Sequence, residues 1–382
     1  MSEYQYYEFQ AVDRPLNDKE MNELRAFSTR AKITPNSFTN DYSWGSFKGD
    51  EDRWMEKYFD GFLYYANWGT HILKLRLPSA LLDFKTAQAY CSGDHFSARL
   101  SGDKVILDFL SESEDGGDWE EDLRLTSFLS LRRDLGRGDL RCLYLGWLSG
   151  LQSDEYDEEE VEPPVPPGLQ NLSPTLTNLV DFLRIDPDLI DAAAINSPSL
   201  EDITPSAADL RTWIATLPIN ERDDLLANIL AGSMQGDQTA ALQQLSRFIK
   251  IWRTLRGGKG AKIKLRTVGE LLKKADLVRQ NRERLEAEKK AAALAEKQRL
   301  QKIAREKRLN EILGQEPILW AQIESLASEK KAKSYDKAVE LLTDLRDLAV
   351  RTGASDFHLN LKNLREKHSP KSSFIERLRI FS

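Results

Sequence analysis

Asp154-Glu155-Tyr156-Asp157-Glu158-Glu159-Glu160-Val161-Glu162-Pro163-Pro164-Val165-Pro166-Pro167-Gly168 divides the chain, an acidic run followed by a proline-rich one. Seven of its first nine residues are carboxylates. Like charges this dense repel one another and resist burial. The prolines that follow fix φ and remove backbone donors, so the segment should be extended. A linker is therefore expected over residues 151–168, with a different kind of structure on each side.

Before the linker, residues 1–150 read as an α+β domain. Tyr4 to Val12 has strand character, with Tyr4 and Tyr6 on alternating positions. Asn17 followed by Glu20 is a capping-box pair, which starts a helix with Met21, Leu24 and Phe27 on one stripe. Ile33-Thr34 and residues 37–43 are weakly strand-like around Pro35. Asp50 as a cap, with Trp54, Tyr58, Phe62 and Tyr65 at three- to four-residue spacing, predicts a second helix that ends at Gly69. His71 to Leu77 alternates as a half-buried strand stopped by Pro78. Phe96–Leu100 and Lys104–Leu110 flank Ser101-Gly102-Asp103 as a hairpin, and Leu-rich helices close the domain over 119–148.

After the linker the chain should be mainly helical. Ser173-Pro174 and Thr204-Pro205 each place a capping oxygen before a proline at the first helical position, which predicts a small bundle over 169–256. Residues 257–313 read as a basic hinge and a long charged helix after Gly269. Leu271, Val278, Leu285 and Ala292 stand seven apart, but Arg299 follows and the companion positions are Ala275, Arg282, Lys289 and Glu296. That seam is too polar for a coiled coil, so the helix should rest on Ala, Glu, Lys and Arg propensity. At about 1.5 Å per residue it would span roughly 65–70 Å. Residues 314–382 become globular again as a helical tail, with Gly353 ending its second helix.

Composition narrows the class. The 382 residues are 41% hydrophobic and 30% charged, enough for a core beneath a polar surface. No run approaches the roughly 20 apolar residues of a membrane span, and Met1 to Glu8 lacks the features of a secretory signal. A cytoplasmic protein with no membrane partner is expected. The net charge of −7 hides a split: residues 1–250 carry 43 acids and 23 bases, residues 251–382 carry 18 acids and 31 bases. Such asymmetry suggests a polyanion-binding arm or two parts that attract each other.

No catalytic constellation emerges. Cys91 and Cys142 cannot form a thiolate cluster, and His71, His95, His358 and His368 show no ligand spacing, so no metal or cofactor is expected. The glycines from Gly257 lack phosphate-loop spacing. Asp60, Asp83 and Lys85 loosely suggest a magnesium-dependent nuclease, but Asp83 lies beyond a proline rather than on a strand. His71 is better explained as a core histidine. The basic stripe Arg253, Arg256, Lys259, Lys262, Lys264, Arg266, Lys273, Lys274, Arg279, Arg282 and Arg284 could neutralise phosphates without reading sequence. Trp44 and Phe47, in a glycine-bounded loop, and Tyr335 in the tail are candidate interaction residues.

The opening Glu3-Tyr4-Gln5-Tyr6-Tyr7-Glu8-Phe9 with Asp13-Arg14-Pro15-Leu16 resembles the start of a widespread bacterial family of uncharacterised proteins. Trp44-Gly45 and Tyr64-Tyr65-Ala66-Asn67-Trp68-Gly69 fit the same comparison. The tail, Tyr335 to Leu342, Asp344 to Ala349 and Leu364 to His368, is similar to the helical C-terminus of bacterial SWIM zinc-finger proteins. Their zinc motif is absent here, so the resemblance implies only a shared docking element and a SWIM zinc-finger protein as a candidate partner. The expectation is a non-enzymatic adaptor with docking modules at both ends of the charged helix. The alternative is salt-sensitive nucleic-acid binding by residues 253–284, masked by the acidic linker.

Overall fold

A computed structural model describes residues 3–45, 47–113, 123–152, 156–200, 206–235, 241, 244–245, 247–249, 251 and 266–381. It divides into two compact units, Met1–Arg282 and Glu283–Ser382.

A seven-stranded sheet organises the first unit: β1 (Gln5–Gln10), β2 (Lys32–Thr34), β3 (Ser37–Tyr42), β4 (Gly61–Ala66), β5 (His71–Pro78), β6 (Phe96–Ser101) and β7 (Lys104–Ser111). Every pairing is antiparallel, in the order β2-β3-β1-β4-β5-β7-β6. Alternation sends Tyr7, Phe9, Phe38, Phe62 and Tyr64 to one face. There they meet Leu24 of α1 (Asp18–Arg25) and Trp54 and Met55 of α2 (Glu51–Lys57). The other face carries Leu63, Tyr65, Leu73, Leu75, Leu77, Val105, Leu107 and Phe109 into a second core.

The expected helix from Asp50 to Gly69 is not one element. Asp50 does cap α2, but the helix ends at Lys57 and the chain returns as β4 between β1 and β5. The run Gly61-Phe62-Leu63-Tyr64-Tyr65-Ala66 is buried throughout because helices cover both sheet faces. A strand buried on both faces has no polar alternation to reveal it. The aromatic spacing at Phe62 and Tyr65 therefore reports two different faces.

α3 (Phe84–Gln88), α4 (Ser130–Gly136), α5 (Arg141–Gly150), α6 (Pro174–Phe182) and α7 (Pro187–Ala194) also belong to the first unit. α5 is buried along its whole length. A Cβ on Gly146 would stand 2.7 Å from the Phe96 ring and 2.8 Å from Phe109, so the helix lies directly on the sheet. Leu176, Leu179, Phe182, Leu189 and Ile190 join the same core. These two helices thus belong with the sheet rather than with a separate bundle. Further on, α8 (Ala207–Thr216) and α9 (Ile219–Gln235) follow, and Leu210 and Trp213 pack on Phe248 and Ile249.

The proline-rich stretch is extended but is not a free spacer. Pro163 and Pro166 are buried, the Tyr90 hydroxyl donates to the Pro164 carbonyl at 2.8 Å, and Ser197 Oγ donates to Pro166 at 2.7 Å. Val161 bridges Thr267, and the amides of Val268 and Gly269 donate to the carbonyls of Glu160 and Glu158. Here α10 (Val268–Ile312) begins, with Thr267 and Glu270 each donating its backbone amide to the other's side-chain oxygen as a capping box. Val268, Leu271 and Ala275 enter the core, and the helix becomes exposed and charged farther on.

The second unit gathers Leu309 and Ile312 of α10 with α11 (Glu316–Ser328), α12 (Ala332–Thr352), α13 (Asp356–Lys367) and α14 (Ser372–Arg377). Ile323, Ala338, Leu342, Leu361, Phe374 and Leu378 form its centre. Arg305 binds Asp344 and Asp347, and Arg308 adds a 3.0 Å contact to Asp344. Gly353, at φ 71°, ends α12 in the left-handed conformation that favours glycine.

Candidate docking surface

Charged residues inside the sheet unit are consumed by structure. Asp60 is almost fully buried; one carboxylate oxygen accepts the amides of Val12 and Asp13 at 2.8 Å and the other pairs with Arg76 at 2.8 Å. Asp83 caps α3 instead, accepting the Thr86 amide at 3.1 Å. The Asp60, Asp83 and Lys85 combination is therefore not assembled as a magnesium site. Among the described residues no cluster of three His, Cys, Asp or Glu side chains could hold a metal ion. Burial pushes the Asp13 carboxyl upward, but Arg132 and Lys104 outweigh it and hold the group below its ordinary value. Buried Lys74 ties Asp52 at 2.7 Å to Asp108 at 2.9 Å.

His71 is held neutral. Burial, with Arg184 beside it, lowers its pKa against the opposing effect of the Phe182 carbonyl. Nδ1 lies 3.0 Å from that carbonyl and Nε2 lies 3.0 Å from Arg184 Nη2, so Nδ1 donates and Nε2 accepts. Both nitrogens secure α6 to the sheet. Burial raises the thiols of Cys91 and Cys142, the opposite of nucleophilic activation.

The basic stripe divides three ways. Arg253, Arg256, Lys259, Lys262 and Lys264 lie outside the described residues. Arg266 is buried: its guanidinium binds Glu162 at 2.5 and 2.9 Å and donates to the carbonyls of Ala192 and Ala193. Arg279 pairs with Asp186 at 2.6 Å and Arg282 with Asp188 at 2.6 Å, and the Arg282 hydrogen bonds hold Asp188 below the usual carboxylate range. Lys273 stands 3.9 Å from Glu158, and Lys274 and Arg284 are exposed. The acidic segment does meet the base of the helix, but the Glu162–Arg266 contact is a buried clasp rather than a displaceable cover.

The aromatic candidates also separate. Phe47 is half-buried and stacks on Tyr7 at 4.9 Å, so it is a core residue. Trp44 is 72% exposed, with the Arg30 guanidinium 5.3 Å above its ring. Tyr335 is buried against Phe374 at 5.0 Å and offers no interaction surface, which corrects its candidacy. Its position on the apolar stripe of α12 explains the burial.

The tail instead opens a groove that the sequence reading missed. Pro317 and Trp320 of α11, Leu345 and Leu348 of α12, and Phe357 of α13 line a cleft of about 510 Å³. Trp320 and Phe357 have ring centroids 5.9 Å apart. Glu316 and Asp356 stand at the mouth, the first residues of their helices. Glu316 accepts the Gly314 amide at 3.1 Å and Asp356 faces the Ser355 hydroxyl at 3.4 Å. Neither forms an ion pair with a basic side chain among the described residues. The signal available was Glu316-Pro317-Ile318-Leu319-Trp320, where an aromatic one turn into a helix departs from the buried stripe of Leu319 and Ile323.

A second cleft of about 740 Å³ lies over Phe27, Trp54 and Tyr58. Its charges are largely matched internally, with Lys57 on Glu23, Arg53 on Asp50 and Glu56 on Arg99. No helix among the described residues is long and apolar enough to cross a membrane. Comparison of the chain with protein-family models, with curated proteins and with solved structures finds no match.

Proposed function

We propose that the protein is a cytoplasmic, non-enzymatic interaction protein. Its helical tail is a docking module, and the charged helix α10 connects that module to the sheet unit, where exposed Trp44 marks a second contact point. One observation carries the reading: an apolar groove with Trp320 and Phe357 in its lining, bordered by carboxylates that lack basic partners among the described residues. A pocket with aromatic and aliphatic walls is the kind of site that seats an anchor side chain of a partner protein. The partner is a protein, and the resemblance of the tail makes a SWIM zinc-finger protein the first candidate.

Nucleic-acid binding through residues 253–284 is the competing reading. The engagement of Arg266, Arg279 and Arg282 by acidic residues supports docking over it. The test is photo-cross-linking in the native cell, with benzoyl-phenylalanine at Asn360 in the groove or at Lys290 on exposed α10. A defined protein adduct from Asn360 and none from Lys290 is expected. Equal adducts from both positions, or none from Asn360, would overturn the proposal.

A further inference from the structure

We infer that the Trp320–Phe357 groove takes a segment of a partner protein in which a large apolar side chain is flanked by Lys or Arg. This rests on the docking reading and adds the chemistry of the occupant. The lining supplies an aromatic and aliphatic floor, Trp320, Phe357, Leu345 and Leu348, which rewards an apolar anchor. Glu316 and Asp356 supply negative charge at the mouth. Each lies at the start of its own helix, where the positive end of the helix dipole favours a carboxylate. That location keeps both acids in place without an internal cation, and leaves their charge to face an incoming one.

The same mouth disfavours phosphates and acidic segments, since like charge brought to a docking face opposes association. The cleft of about 510 Å³ has room for an aromatic or leucine side chain. An aliphatic or aromatic residue between basic neighbours satisfies both the floor and the mouth. A nucleic-acid strand can lay a base on the aromatic floor but brings its phosphates to the acidic mouth.

The experiment is selection of a displayed library of random peptides on the full-length chain, followed by binding measurements on three forms: the parent, the Glu316→Lys/Asp356→Lys double variant, and Ala354→Trp. Ala354 is an exposed residue at the groove edge, so the bulky substitution blocks the site while leaving the buried core untouched. Melting curves of all three forms establish that each is folded. Selected peptides should carry an apolar residue flanked by Lys or Arg and lose binding to Ala354→Trp. They should weaken about tenfold on the double charge reversal at low salt, and less at higher salt. Versions with Asp or Glu flanks should gain affinity for the reversed groove. Peptides blocked by Ala354→Trp but indifferent to charge reversal would overturn the basic specificity and leave the docking reading standing. Selection that yields no peptide sensitive to Ala354→Trp would overturn both.

Discussion

Neutralising Glu162 should release the base of the long helix from the sheet unit. Its carboxylate is 2% exposed and accepts Arg266 Nε at 2.5 Å, Arg266 Nη2 at 2.9 Å and the Tyr144 hydroxyl. Glu162→Gln keeps the shape but removes the charge and turns two donors toward the guanidinium. Arg266 is left as a buried cation with neutral acceptors only, the remaining amide oxygen and the carbonyls of Ala192 and Ala193. Breaking one side of a buried pair costs about 3–5 kcal/mol. Removing both sides, as Glu162→Leu with Arg266→Met, should cost less than the two single changes added together, because no buried charge is left unpaired; what remains is the Tyr144 hydroxyl without its acceptor and the carbonyls of Ala192 and Ala193 without a donor, at about 1–3 kcal/mol for each group left unsatisfied. The measurement is urea unfolding of the parent, Glu162→Gln, the singles Glu162→Leu and Arg266→Met, and their double variant, fitted as two transitions because the chain has two compact units. Hydrogen exchange at Val268 and Gly269 reads the same clasp locally, since their amides are held by Glu160 and Glu158. A loss below about 1 kcal/mol for Glu162→Gln, or a double variant whose loss is the simple sum of the two singles, would refute the clasp.

Three further outcomes follow from the same structure. Deleting residues 153–162 should destabilise the first unit at least as much as Glu162→Gln, without new retention on mixed DNA or RNA; stronger salt-sensitive retention by a folded deletion variant would restore the nucleic-acid reading. Because burial lowers the His71 pKa from 6.5, the unfolded chain takes up a proton first as pH falls, so its contribution is complete above about 6.5 and is lost progressively below it. A His71→Gln variant should show a flatter decline of stability below that pH, and an unchanged slope would exclude His71 as the cause. Gly146→Ala should destabilise the sheet unit by about 1–3 kcal/mol, since the added methyl meets Phe96 and Phe109, and a neutral effect in thermal unfolding would contradict the close approach of α5.

Local signals were legible where one short segment decides its own fate. Asn17 and Glu20 do form the capping box of α1, and Ser101-Gly102-Asp103 does turn a hairpin between β6 and β7. The α+β start, the helical second half and the long helix are all present. Phe62 and Tyr65 misled because a strand covered on both sides has no outward polar face, and chance spacing then imitates a helix. Charge misled differently. Composition reports how many arginines the stripe holds, whereas burial of Arg266 depends on a carboxylate 104 positions away. The candidate site suffered most: Tyr335 sits on a stripe that becomes core, while Trp320 comes to line a cleft only when α12 and α13 pack beside it.

The clasp also sets an order of events on the ribosome. Glu162 is made 104 residues before Arg266, an interval of roughly 5–20 s at ~5–20 residues per second. Through that interval the sheet, α6 and α7 can assemble, yet the carboxylate destined for their interior has no cation and the core lacks Val268, Leu271 and Ala275. The chain between Ala193 and Arg266 thus departs from and returns to one place, as Arg266 donates to Ala192 and Ala193. A nascent chain halted before residue 266 would hold a hydrated Glu162 and an open core, and the N-terminal unit reaches its final stability only after the helix that leaves it has begun to emerge.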